Sequence, residues 1–285
     1  MSRIEPFSLP APAGGALDGL IDLPEEARAR AGPLPAVVIC HGFKGFMEWG
    51  FFPHLAELLA ARGFVAVRFN LSGSGMRPGE DGAADPDAFR ANTHGRELAD
   101  LLAVMAAAAA DRLVPGRIDP ARLGLFGHSR GGGAALLAAA HPDWRERMRA
   151  LVTWAAVADF DRYTPEQKAA WRRDGELPVV NARTGQRLAL GLGLLAELES
   201  RGAELDLAAA ARRRRAPWLI VHGVDDESVP SAEAVTLNDR AGGAKELLLI
   251  PGGTHTLGAR HPFAGPTPQL IQALNATQTW FRRHL

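Results

Sequence analysis

Residues 123–140 read Leu-Gly-Leu-Phe-Gly-His-Ser-Arg-Gly-Gly-Gly-Ala-Ala-Leu-Leu-Ala-Ala-Ala, and this stretch decides the fold. Residues 123–126 are a short apolar run followed by a turn signal, the pattern of a buried strand. Residues 134–140 are alanine and leucine, the residues with the strongest helix propensity. Between the two lies Gly127-His128-Ser129-Arg130-Gly131. A strand that becomes a helix within so few residues forces the residue at the apex into strained backbone geometry. Glycines two positions before and after the serine remove the side chains that would collide there. The Ser129 hydroxyl is left exposed at the carboxyl end of the strand, the setting of a nucleophile elbow. The N-terminus of the following helix offers a positive dipole to negative charge developing at the same place. The plainer reading is a glycine-rich turn with an N-capping serine, so the rest of the chain has to arbitrate.

Working outward, apolar runs of similar length recur at 36–40, 64–69, 151–154, 218–221 and 247–250. They alternate with helical spacings: Phe52, Leu55, Leu58 and Leu59, then Leu98, Leu101, Leu102 and Met105, and lastly Leu270, Leu274 and Phe281. Buried strands alternating with amphipathic helices predict a doubly wound, mostly parallel α/β sheet with right-handed crossovers. Residues 4–9 and 17–23 flank a Pro/Gly turn region and predict an antiparallel hairpin at the sheet edge. From 159 to 212 the strand–helix rhythm stops, and a polar, helix-biased stretch carrying Tyr163 and Trp171 predicts an inserted lid within a single domain of 1–285. The run Arg212 to Arg215 reads as a solvated helix C-terminus rather than a phosphate site.

A serine hydroxyl is a poor nucleophile at neutral pH and needs a histidine base held by a carboxylate. Both follow strands downstream. After residues 218–221 comes His222-Gly223-Val224-Asp225-Asp226-Glu227-Ser228-Val229-Pro230, a turn with three adjacent acids, and after 247–250 comes Pro251-Gly252-Gly253-Thr254-His255. Serine, acid and histidine each follow a different strand, in the chain order found on sheets of this type. Acyl transfer also needs donors for the oxyanion. His41-Gly42-Phe43-Lys44-Gly45 follows the first parallel run, so the backbone N–H groups of Phe43 and Arg130 are the candidate donors. Trp49, Trp154 and Trp171 are candidate substrate-lining aromatics.

Composition limits the partners. Thirty-two basic residues balance thirty-two acidic ones, which supplies no long-range field for nucleic acid. The single cysteine, Cys40, cannot form an internal disulfide and reads as an inert buried hydrophobe. No apolar run approaches the ~20 residues of a membrane span, and no export signal is visible at the amino terminus, so a cytoplasmic protein without a membrane partner is expected. The nine histidines include no metal-ligand spacing, so no metal is expected. His54, His94, His141, His261 and His284 read as surface or helix-end residues, and His41 and His222 as structural hydrogen-bonders near the site. Gly73-Ser74-Gly75 opens no helix and reads as a turn, so no nucleotide cofactor is expected.

From residue 36 to the carboxyl terminus the chain resembles the α/β-hydrolase superfamily. Within it, His41-Gly42-Phe43, the helix with Phe52, the segment 69–75 and the insertion of about 50 residues resemble dienelactone-hydrolase-like proteins and the bacterial cinnamoyl or feruloyl esterases. The resemblance implies Asp226 rather than Asp225 as the triad acid, because Asp226 begins the Asp-x-x-Val-Pro pattern. It further implies hydrolysis of small carboxylic esters, with acid and alcohol held under a small lid. Two departures stand out. Ser129 replaces the cysteine nucleophile of dienelactone hydrolases proper, and Asn70-Leu71-Ser72-Gly73-Ser74-Gly75 replaces the frequent Asp-x-Arg-Gly-x-Gly. The expectation is therefore a cofactor-independent serine esterase using Ser129, Asp226 and His255. The alternatives are a peptidase or amidase on the same fold and a non-catalytic ligand-binding protein.

Overall fold

The computed structural model describes residues 2–25 and 32–285. Met1 and residues 26–31, part of the expected unit 1–285, lie outside the described residues. In chain order the elements begin with β1 (Arg3–Pro10), β2 (Ala16–Leu23), β3 (Leu34–Cys40), α1 (Phe51–Ala60), β4 (Val65–Phe69), α2 (Pro86–Arg90) and α3 (His94–Ala109). There follow β5 (Ile118–His128), α4 (Arg130–Ala140), β6 (Met148–Trp154), α5 (Pro165–Asp174), β7 (Glu176–Val180), β8 (Arg187–Gly191), α6 (Leu192–Ser200) and α7 (Leu207–Arg213). The chain closes with β9 (Trp218–Gly223), α8 (Ala232–Arg240), β10 (Lys245–Ile250) and α9 (Pro268–His284).

Eight strands form one sheet in the order β1-β2-β4-β3-β5-β6-β9-β10. The hairpin β1–β2 joins it antiparallel through β4, and every pair from β4 to β10 is parallel. The six apolar runs are therefore the parallel strands and the amino-terminal pair is the edge hairpin. Parallel strands buried on both faces have no polar face to alternate with, which is why β3, β4, β5, β6 and β9 read as continuous apolar runs, whereas β10 lies at the sheet edge and is only partly buried. One apolar cluster under α3, α4 and α7 covers one face, and a second, built from α1 and α9, covers the other. This is the α/β-hydrolase fold. Strand order reverses between β3 and β5, and the crevice outside the carboxyl ends of the strands at such a reversal is where ligands bind.

The insertion is less helical than expected, because β7 and β8 pair as a separate antiparallel hairpin. Asn181 O closes its turn by accepting from the amides of Thr184 (3.2 Å) and Gly185 (2.8 Å). Both strands are only five residues long and carry charged ends, so their alternation is masked in the linear sequence. Helix α5 begins with a capping box on Thr164 and ends at Gly175, in the left-handed region at φ 79°. Helix α7 packs against α4 and α8 as one of the covering helices of the sheet.

The arginine run departs from expectation at Arg214, which is 2% exposed. Its guanidinium donates to the carbonyls of Ala216, Ala244 and Gly242 and lies over the Trp218 ring. Burial pushes its pKa down to about 10. No helix among the described residues is long and apolar enough to cross a membrane.

Candidate active site

Ser129 is the N-cap of α4, with φ 56° and ψ −125°. A non-glycine residue held there costs about 1–3 kcal/mol, which the surrounding structure must offset. The Ser129 amide donates to Trp154 O at 2.9 Å, and the Ser129 carbonyl accepts from Gly132 N–H at 2.9 Å. Glycine at 131 is a packing requirement, since a Cβ there would lie 2.2 Å from the carbonyl oxygen of His41. The loop after β3 is equally close on the other side: a Cβ on Gly42 would meet His128 O and the Ser129 Cβ at 2.9 Å each.

Three strand ends meet at this turn. The Asp226 carboxylate lies after β9 and is buried, whereas Asp225 is exposed. His255 lies in the loop after β10. His255 Nδ1–H donates to Asp226 Oδ2 at 2.8 Å, and His255 Nε2 faces Ser129 Oγ at 3.1 Å. The second Asp226 oxygen accepts from the amides of Ser228 (2.8 Å) and Val229 (2.9 Å). Burial raises the Asp226 pKa, but hydrogen bonds from His222, His255 and the Val229 amide outweigh it and hold the carboxyl well below the usual carboxylate range. It is charged throughout the neutral range and fixes the tautomer that leaves His255 Nε2 free to accept the serine proton.

Further histidines brace the arrangement. His222 Nε2–H donates to Val229 O at 2.8 Å and sits 3.2 Å from Asp226 Oδ2. His41 donates from Nδ1 to Gly42 O at 2.9 Å and accepts from Leu71 N–H at 3.1 Å. His128 Nε2–H donates to the His255 carbonyl at 2.9 Å, so the serine turn holds the loop that carries His255. Burial pushes His41 down to about 4, and burial with the neighbouring His255 pushes His128 down to about 3. Both are neutral and serve as fixed donors. Cys40 is buried, and burial pushes its thiol pKa up, as expected of an inert hydrophobe.

The backbone N–H groups of Phe43 and Arg130 have no protein acceptor among the described residues. They lie on the two segments that Gly42 brings into contact. The Arg130 side chain points elsewhere, pairing with Glu97 and lying 4.2 Å over the Phe43 ring centroid. Burial raises the Glu97 pKa, but the Arg130 charge, the neighbouring His94 ring and the hydrogen bond from Asn92 outweigh it and bring it down to about 2.

Two cavities open beside Ser129. One, about 320 Å³, is bounded by Phe43, Lys44, Trp49, Phe52, Asn181 and Arg183. The other, about 290 Å³, is bounded by His94, Val157, Phe160, Arg162 and Tyr163. Ser129, His255, Phe43 and Lys44 border both. Of the three candidate tryptophans, Trp49 lines the first cavity. Trp154 does not: it is 1% exposed between Phe51 and Phe126, with Nε1–H on Thr277 Oγ1 at 3.0 Å. Trp171, fully buried against Tyr163, is also core. Large rings in a sheet protein find most of their burial under helices, and these two are used there. His94 begins α3 but is buried, stacked 4.1 Å from Phe160 at the second cavity.

Lys44, Asn181, Arg183 and Tyr163 were not singled out as site residues from sequence. Lys44 at least lies inside the His41–Gly45 motif, and its φ of 56° marks a sharp turn. Asn181 and Arg183 sit in the turn of the β7–β8 hairpin and carry no linear signal. No group of three or more His, Cys, Asp or Glu among the described residues could hold a metal ion.

The profile of the prolyl oligopeptidase family matches residues 49–285, which takes in the serine turn, the acid turn and the His255 loop. The chain belongs to the prolyl oligopeptidase family. As a member of that family it is a serine hydrolase of the α/β-hydrolase superfamily. An uncharacterised 31.7 kDa protein from the traX–finO intergenic region of Escherichia coli is 26% identical, over 88% of this chain and 91% of the relative. Among solved structures, Est1E from Butyrivibrio proteoclasticus, determined with ferulic acid bound, matches at a TM-score of 0.72 with 22% identity over 98% of each chain. A dienelactone hydrolase from Anabaena variabilis matches at a TM-score of 0.64 with 19% identity, over 100% of this chain and 99% of the other. At these identities the two structures establish the shared fold.

Proposed function

We propose that this family member hydrolyses carboxylic esters of small molecules through an acyl-enzyme on Ser129. The observation that carries the reading is the hydrogen-bonded chain from Asp226 through His255 to Ser129, ending beside the two unengaged amides. His255 Nε2 takes the hydroxyl proton as Ser129 Oγ attacks the carbonyl carbon, and Asp226 stabilises the imidazolium. The Phe43 and Arg130 amides receive the charge on the former carbonyl oxygen, where one such donor is worth about 3–4 kcal/mol of barrier. His255 then protonates the departing alkoxide. In the second half the same imidazole deprotonates water, which attacks the acyl carbon and frees Ser129. Neither half calls for a cofactor or metal. Within the insertion from 159 to 212, the part that precedes α7 acts as the lid, with the β7–β8 turn over the first cavity. The two cavities suit the two halves of a small ester.

Ser129→Ala should abolish turnover of 4-nitrophenyl acetate and labelling by a fluorophosphonate, with an unchanged circular dichroism spectrum. Retained labelling would place the nucleophile elsewhere. Membership of the prolyl oligopeptidase family favours amide hydrolysis as the second reading. An ester and its matched anilide separate the two: the proposed chemistry requires the ester to be cleaved at least about 100-fold faster, and a comparable rate on the anilide would favour a peptidase.

A further inference from the structure

Four basic side chains line the two cavities, and they differ in what neutralises them. Arg130 is paired with Glu97 and Arg162 with Glu233. Lys44 and Arg183, which both border the first cavity, are instead held by neutral carbonyls. Lys44 Nζ donates to Val180 O at 3.1 Å, and Arg183 Nη2 donates to the main-chain oxygen of Asp81. Arg183 Nε is buried without a hydrogen-bond partner, and its guanidinium lies 5.0 Å over the Phe46 ring. Among the described residues no aspartate or glutamate lines this cavity. Nearby acids are engaged elsewhere: Asp81 bridges His261 at 2.9 Å, and Glu48 accepts from the Gly79 amide at 3.1 Å. Burial lowers both pKa values; the Arg183 charge lowers that of Lys44 further, and the nearby Asp81 charge offsets part of the lowering at Arg183. Both side chains are half-buried and keep part of their hydration, but holding two like charges at one cavity without a direct ion pair still costs free energy, which a bound anion offsets.

We infer that the substrate is an ester bearing a free carboxylate, which Lys44 and Arg183 bind in the cavity beside Ser129. This rests on the esterase reading and names its substrate class. The planar guanidinium suits a carboxylate through two parallel bonds, and the ammonium adds a point charge. Lys44 and Arg183 come from two separate segments, the loop after β3 and the β7–β8 turn, so a carboxylate held by both adds to the Lys44–Val180 bond between body and lid.

The test compares matched pairs that differ in one charge. The 4-nitrophenyl half-ester of adipate against its methyl ester places the carboxylate on the acyl side, and 4-acetoxybenzoate against its methyl ester places it on the alcohol side. One pair should favour the anion by about 10- to 100-fold in kcat/KM, an advantage that shrinks with added salt. In Lys44→Met and Arg183→Gln the ratio within that pair should collapse toward one through KM, and Lys44→Arg should restore it. Because the ratio is taken within one variant, loss of folded protein does not mimic this result. Calorimetry on the Ser129→Ala protein with 4-hydroxybenzoate and monomethyl adipate, against their neutral methyl esters, reads carboxylate binding without turnover. Equal rates for both members of both pairs, with equal binding, overturn the inference while leaving the esterase reading standing. Inert esters with carboxylate binding that is lost in Arg183→Gln would overturn the esterase reading and leave the anion site.

Discussion

Ser129 sits on a turn whose constraints are local, whereas Asn181 and Arg183, which border the same cavity, are placed by contacts with residues more than a hundred positions away. At the serine turn the strand, the strained apex and the helix lie within about twenty consecutive residues. Backbone sterics leave them one arrangement. The β7–β8 turn instead hangs on Lys44 Nζ to Val180 O and on Gln186, whose amide both accepts from Ala83 N–H at 2.9 Å and donates to Ala83 O at 2.7 Å. Each bond there is worth about 0.5–1.5 kcal/mol, so the roof is tunable while the nucleophile is not. Under the proposed function, chemistry lies on the rigid side and selectivity on the adjustable one.

The most damaging test of this contrast lies at the rigid side. Asp226→Asn keeps the shape of the side chain but stabilises the wrong His255 tautomer, and kcat toward a small acetate ester should fall by about 10⁴-fold. A loss below about tenfold would mean that the buried carboxylate is structural. Next comes Gly131→Ala, where the added methyl meets the His41 carbonyl oxygen at 2.2 Å. Roughly 3 kcal/mol or more should be lost in urea unfolding, together with activity, because the collision moves the loop that carries Phe43. An alanine tolerated there would show the elbow to be looser than its packing indicates.

Acid should find the same side of the molecule. His41 and His128 have pKa values of about 4 and about 3 in the folded state, against about 6.5 unfolded. Between those values the unfolded chain binds more protons, so stability is complete above about pH 6.5 and falls as the pH drops toward 3. Glu97 and Asp226, held low by their partners, extend the loss to lower pH. Asp22 and Asp100 pull the other way, because burial raises both, Asp100 to about 6. From pH 7 to pH 4 the two histidines outweigh Asp100 and Asp22, so the midpoint of urea unfolding should decrease across that range, and a flat profile would contradict the burial of the two histidines. The smallest effect belongs to the roof. Gln186→Ala should cost about 1–2 kcal/mol, alter kcat for a small acetate by less than about threefold, and change KM for bulkier esters. An equal fall in kcat for every ester would erase the distinction between the two regions.

What could be read in advance follows the same division. Six parallel strands, the edge hairpin and the turns carrying Ser129, Asp226 and His255 were legible, because burial on both faces and strand–turn–helix sterics leave marks on consecutive residues. Trp154 and Trp171 were misplaced because an aromatic ring looks the same in a chain whether it faces a cavity or a helix. Arg214 was misplaced because a basic run at a helix end is usually solvated, whereas here three carbonyls surround the guanidinium.

By itself the sequence determined the order of the elements, the strained serine turn and the positions of acid and base at strand ends, since each depends on neighbours along the chain. Only the tertiary structure decided that the insertion contains a hairpin, and that Lys44 and Arg183 border one cavity without a carboxylate partner. Those depend on distances between segments, which the folded sheet sets and a linear pattern does not encode.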